Sequence, residues 1–85
     1  MRVESRKVGN CVVVEVASVE VNLALAEEFK EAVLESYAAL GGGGLLLDLR
    51  QLNFMDSKAI GAMVAIRKVV AARGGRMGIC ELHPH

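Results

Sequence analysis

No sign of charge predominates in this 85-residue sequence, where Lys and Arg total 10 and Asp and Glu total 10. Without a net field, attraction to nucleic acid or to anionic lipid by bulk charge is excluded. No apolar run approaches the roughly 20 residues of a membrane span, and the amino-terminal stretch MRVESRKVGN holds no apolar signal segment. A cytoplasmic protein that meets neither membrane nor nucleic acid is expected. Histidine is confined to His83 and His85, in a terminal H-P-H of the kind that frays more often than it binds metal. Cysteine is scarce as well. Cys11 and Cys80 lie far apart, outside any C-x-x-C pair, and each falls in an expected strand, where a thiol acts as a small hydrophobe. Neither a zinc site nor a cofactor is expected. No segment repeats.

What remains is a composition 53% hydrophobic and 24% charged, too apolar for a disordered chain. At this length one domain is expected over residues 1–85, burying little more than about 60% of its unfolded surface. Residues 2–8 alternate loosely, and Gly9-Asn10 can take the positive φ of a two-residue hairpin turn. Two antiparallel strands therefore open the domain, the second over residues 11–16. In it Val12, Val14 and Val16 share one side, while Cys11 and Val13 share the other, which Glu15 interrupts. Residues 18–22 read as a link, with Asn22 as N-cap of an amphipathic helix. Its apolar stripe runs Leu25, Phe29, Val33, Tyr37, and Glu27, Glu28, Lys30, Glu31 and Glu35 occupy the other side.

Gly41 suits the left-handed position that ends a helix, and the glycines at 41–44 read as a flexible connection. They do not resemble a phosphate-cradling loop, because no Gly-Lys-Ser/Thr follows and the tract enters a strand rather than leaving one for a helix. A strand over 45–49, a loop over 50–55, a helix over about 57–73 ended by Gly74-Gly75, and a last strand over 76–82 complete the chain. The order β-β-α-β-α-β means an α/β fold with a small mixed sheet. Both crossover helices fall on one face if both connections are right-handed.

The segment from Leu45 to Gly61, LLLDLRQLNFMDSKAIG, carries the candidate chemistry. Leu45, Leu46, Leu47 and Leu49 form a short apolar run typical of a strand covered on both faces. Asp56 and Ser57 then precede Ala59, Ile60, Met63, Ile66 and Val70, which recur at helical spacing, so either polar residue can cap the helix. A hydroxyl at a helix start stands beside unpaired backbone donors and the positive end of the helix dipole, where an anion is tolerated. Three readings follow. The pair caps a helix and does nothing else; Ser57 accepts a phosphate; or Ser57 is a nucleophile. The third needs a base within reach, and the histidines are confined to the last three residues while no G-x-S-x-G elbow is present. With Ala59, Met63, Ile66 and Val70 toward the sheet, the outer side of this helix shows Gly61, Val64, Ala65, Lys68 and Ala72, with Ser57 and Lys58 at its upper end. That side is either a docking surface or a run of good helix formers.

The run LLLDLRQLNFMDSKAIGAM resembles the signature of STAS domains, the family of bacterial anti-sigma factor antagonists, in which D-[ST]-S-G-[LI]-G follows a strand ending in Asp. Asp48 matches the strand-end Asp, Asp56 and Ser57 the Asp-hydroxyl pair, Ile60 the aliphatic position and Gly61 the last glycine. Lys58 replaces the usual second small hydroxyl, and Ala59 replaces a glycine. The resemblance runs from about Val12 to Glu81 and implies a non-enzymatic, partner-switching protein. Ser57 would be phosphorylated by an anti-sigma factor serine kinase that docks around Asp56, Ser57, Lys58, Gly61, Val64, Ala65 and Lys68. It also covers STAS scaffolds of stress-sensing and lipid-transport complexes, where the serine need not be modified. STAS domains usually continue with a further helix, which this sequence does not reach; an apolar face left without it would favour a homo-oligomer.

Overall fold

In a computed structural model that describes residues 2–17, 20–21, 25–52 and 54–80, the hairpin expected at the start is present. Strand β1 (Val3–Val8) pairs antiparallel with β2 (Cys11–Val16) across the Gly9-Asn10 turn, where Gly9 has φ 59°. The next element is the two-residue strand β3 (Glu20–Val21), inside the stretch expected to be a plain link. Helix α1 (Ala26–Ala39) follows, then β4 (Gly44–Asp48), a second two-residue strand β5 (Phe54–Met55), helix α2 (Ser57–Ala72) and β6 (Met77–Cys80).

One sheet has the order β1-β2-β4-β6, with β2, β4 and β6 parallel; β3 and β5 pair parallel in a small sheet of their own, Glu20 opposite Phe54 and Val21 opposite Met55. Strands of two residues have no measurable period, so neither could be read from the chain. The pairing is held by its surroundings instead. Boundaries also differ at α1 and at the last strand. Helix α1 takes Leu25 as its N-cap residue with no side-chain hydrogen bond, and the expected cap, Asn22, lies outside the described residues. The last strand spans Met77–Cys80 within the expected 76–82, and residues 81–85 also lie outside them.

The core lies between the helices and one face of the larger sheet. Val12, Val14, Val16, Leu45 and Leu47 point into it, with Leu49 and Leu52 behind, against Ala26, Phe29, Val33 and Tyr37 of α1 and Ala59, Ala62, Ile66 and Val70 of α2. Period-2 and period-3.6 stripes meet here, each removing its apolar side from water. The expectation of cover on both faces of β4 is corrected: no described helix lies over the other face, where Arg6, Val13, Leu46 and Gly78 form one register row. Leu46 is half-buried and lies close to Gly78, within 3.3 Å of where a Cβ would stand.

At the end of the sheet where both helices finish, three loops meet as bare backbone. Gly43, at φ 92°, has room for no side chain, because a Cβ would come 2.5 Å from the Asn10 carbonyl oxygen. A Cβ on Gly75 would collide with the Gly43 carbonyl. The Tyr37 hydroxyl donates to that carbonyl at 2.6 Å, and Lys7 Nζ donates to the Gly42 carbonyl at 2.9 Å. The glycine tract is thus a packed junction, not a loose link.

On the sheet's open face Asp48 is 6% exposed and accepts from the Arg50 backbone N–H at 3.1 Å and from its guanidinium at 3.0 and 2.8 Å. These bonds to Arg50 outweigh burial and hold the Asp48 carboxyl below its ordinary range. A group whose folded-state pKa is depressed stabilises the fold above its unfolded value, and that contribution disappears as pH falls through the folded value. Denaturation of Asp48→Asn should therefore show lower stability than the parent at neutral pH, with the difference closing below about pH 4. Gly75→Ala should lower stability by about 2 kcal/mol or more, read from the urea midpoint, since backbone rather than a flexible side chain must give way.

Candidate functional site

Helix α2 starts where its capping chemistry says it should. Asp56 has extended backbone at φ −85°, ψ 178°, and its Oδ1 accepts from the Ala59 N–H at 2.9 Å, which resolves the choice of cap in favour of Asp56. Ser57 becomes the first helical residue, exposed, with no hydroxyl hydrogen bond to a described residue. The pairing of β5 with β3 immediately upstream sets where that first turn stands. Asp48 belongs to other business: its carboxylate is taken by Arg50 on the open sheet face.

The burial of α2 differs in part from its expected face. Ala59, Ile66 and Val70 are buried as expected, Met63 is half-buried, and Ala62, not singled out from the sequence, joins the core. Ile60, expected with the apolar stripe, is 53% exposed. Position 60 sits at the margin of the stripe, and nothing in the described chain covers that margin. Gly61, Val64, Lys68 and Ala72 do face solvent, while Ala65 is half-buried.

The structure sorts the candidate residues into neighbouring surfaces. Ser57, Lys58, Gly61, Ala62 and Ala65 form one wall of a groove of about 240 Å³ whose other wall is Ala26, Glu27 and Lys30 of α1. That second wall was not legible in the chain, because the stripes of two helices do not say which exposed flanks will lie side by side. Lys30 pairs with Glu27 at 2.9 Å. Val64 stands on the ridge of α2, 50% exposed, and Lys68 lies one helical turn further on. Across the ridge Ile60, Met63, Val64 and Arg67 meet Met77 and Ile79 of β6 in a second groove of about 310 Å³, largely apolar.

Gly61 is the informative residue of this face. It lies inside a helix, where glycine costs about 1 kcal/mol relative to alanine, and a Cβ there would meet nothing within 4 Å. Neither packing nor backbone conformation asks for glycine. What glycine leaves there is a bare patch of helix backbone beside an exposed serine.

The fold and this face define a small mixed α/β domain with one sheet face backed by two helices and a serine presented at a helix start. Residues 2–85 match the STAS domain family, and the chain belongs to it. Over 40 residues it is 35% identical to an anti-sigma F factor antagonist of Paenibacillus polymyxa, a match spanning 47% of this chain and 34% of that protein. The anti-sigma factor antagonist SpoIIAA superposes in its unphosphorylated form with a TM-score of 0.72 at 18% identity, over 98% of this chain and 76% of that one. Its phosphorylated form, from Bacillus, superposes with a TM-score of 0.67 at 19% identity, over 99% and 74%. The murine anion transporter Slc26a9 gives 0.73 at 20% identity, over 93% of this chain and 13% of the transporter. No helix among the described residues is long and apolar enough to cross a membrane.

Two substitutions separate structural from functional demand. Asp56→Ala should cost about 1 kcal/mol, and Gly61→Ala should gain about 0.5 to 1 kcal/mol in thermal or urea unfolding. A loss of stability in Gly61→Ala would mean that the glycine serves the fold after all.

Proposed function

We propose that this chain is a non-enzymatic, cytoplasmic anti-sigma factor antagonist, a single domain over residues 1–85 that works by exchanging protein partners. Unphosphorylated, it binds an anti-sigma factor serine kinase through the exposed face of α2; phosphorylated on Ser57, it releases the kinase. The observation that carries the reading is the free Ser57 hydroxyl on the first turn of α2, directly above Gly61. A phosphate there adds about −1.5 to −2 charge and cannot be desolvated cheaply in an interface. The likeness to SpoIIAA, solved in both phosphorylation states, supports the same assignment. A nucleophilic role for Ser57 has no support from its surroundings, since no described hydrogen bond joins the hydroxyl to a base.

Of the two departures from the family signature, Ala59 is fully buried, so its methyl belongs to the core and is out of a kinase's reach. Lys58 is exposed and is the departure a partner would meet. It favours the second reading, a STAS scaffold in a stress-sensing or transport assembly in which Ser57 is left unmodified, and the likeness to the anion transporter supports that reading too.

Intact mass after incubation with ATP and the anti-sigma kinase of the same organism should show one added phosphate, absent from Ser57→Ala. No phosphate, with a kinase that modifies another antagonist, would make the scaffold the better reading. Self-association through the groove between α2 and β6 is proposed as well, and it would compete with the kinase, because the groove shares Ile60 and Val64 with the exposed face of α2. Solution scattering at high concentration should give a mass above the monomer, and a monomer mass would remove it.

A further inference from the structure

Zero net charge conceals a separation between the two helices. Helix α1 carries Glu27, Glu28, Glu31 and Glu35 against one lysine, Lys30. Helix α2 contains no carboxylate at all, and its Lys58, Arg67 and Lys68 are all exposed. The ion pairs among the described residues, Arg2 with Glu4, Glu27 with Lys30 and Asp48 with Arg50, leave these three cations out. Between them stand Ile60 and Val64, 53% and 50% exposed, and the open backbone at Gly61. The outer side of α2 is therefore an apolar strip edged by unpaired positive charge. Charges of this kind act locally, within about 10 Å at ordinary salt, so the acids of α1 and the cations of α2 present different fields to a partner that covers only one of them.

We propose that the face of α2 docks a protein surface that is apolar at its centre and bears Asp or Glu side chains opposite Lys58 and Lys68. The inference rests on the docking reading above and names the chemistry of the partner. The same charge pattern bears on what a phosphate would do at the upper end of the face. Its charge of about −1.5 to −2 would offset Lys58, the cation next to Ser57, while Arg67 and Lys68 stand ten and eleven residues further on, about 15 Å along the helix and beyond the reach of a screened charge. Lys58 lies in the same groove as Ser57, as does Lys30 from α1. Cations drawn toward a phosphate are no longer offered to the partner, so modification weakens docking at the upper end of the face.

The test is calorimetric titration of the purified, unphosphorylated chain with the anti-sigma factor kinase of the same organism, at low and at high NaCl. Lys68→Glu, Lys68→Met and Gly61→Trp are compared with the parent. Positions 61 and 68 are solvent-exposed and a Cβ at 61 would meet nothing within 4 Å, so these variants keep the fold, as circular dichroism should show. Lys68→Glu should weaken binding at least about tenfold, Lys68→Met should weaken it less, and affinity of the parent should fall as salt rises. Binding unaffected by salt and by Lys68→Glu, but abolished by Gly61→Trp, would overturn the charge complementarity and leave α2 as the docking face. Binding untouched by all three variants would overturn the docking reading itself. A chain that is dimeric in scattering, dissociates with salt and becomes monomeric on Lys68→Glu would assign the face to a second copy and likewise overturn the proposal.

Discussion

Everything in this fold depends on burying one side of the β2–β4 pair. Val12, Val14 and Val16 lie beside Leu45 and Leu47 in parallel register, and that continuous apolar surface can be removed from water only if both helices settle on the same side. The helices must then pack against each other as well as against the sheet, and their contact decides which exposed flanks become neighbours. The groove holding Ser57, Lys58 and Gly61 opposite Glu27 and Lys30 is a by-product of that core requirement.

The two ends of the sheet are built differently, in keeping with different duties. At the end where α1 and α2 finish, three loops meet through the backbone of Asn10, Gly43 and Gly75, and Tyr37 and Lys7 donate to carbonyls of the middle one, at Gly43 and Gly42. Side chains are excluded and the helix ends are held in fixed positions. At the other end α2 begins, with a capped first turn, an uncommitted hydroxyl and a glycine that the fold does not need.

Electrostatics changes meaning between chain and fold. The balanced count of charges argues against attraction by bulk field. It says nothing about a partner that covers a single helix. Once α1 and α2 are side by side, four glutamates and a lysine lie on one and only cations on the other. On the docking proposed for α2, such a surface would select by pattern where the whole molecule is neutral.

The sequence by itself determined the hairpin at Gly9-Asn10, the order of the longer elements, the alternating core faces and the start of α2 at Asp56 and Ser57, because turns, periodicity and capping are local and are written in consecutive residues. It also placed Gly61, Val64 and Lys68 on the outer side of α2, since helical spacing alone separates them from Ala59, Ile66 and Val70. Only the tertiary structure decided the rest. Strands β3 and β5 are too short to carry a period and exist because they pair with each other. Ile60 stands at the edge of its stripe, and whether such a residue is buried depends on what lies beyond the helix. The far wall of the Ser57 groove comes from α1, more than 25 residues earlier in the chain. Contacts of that kind are set by how two amphipathic faces share one sheet, and no window along the chain contains both of them.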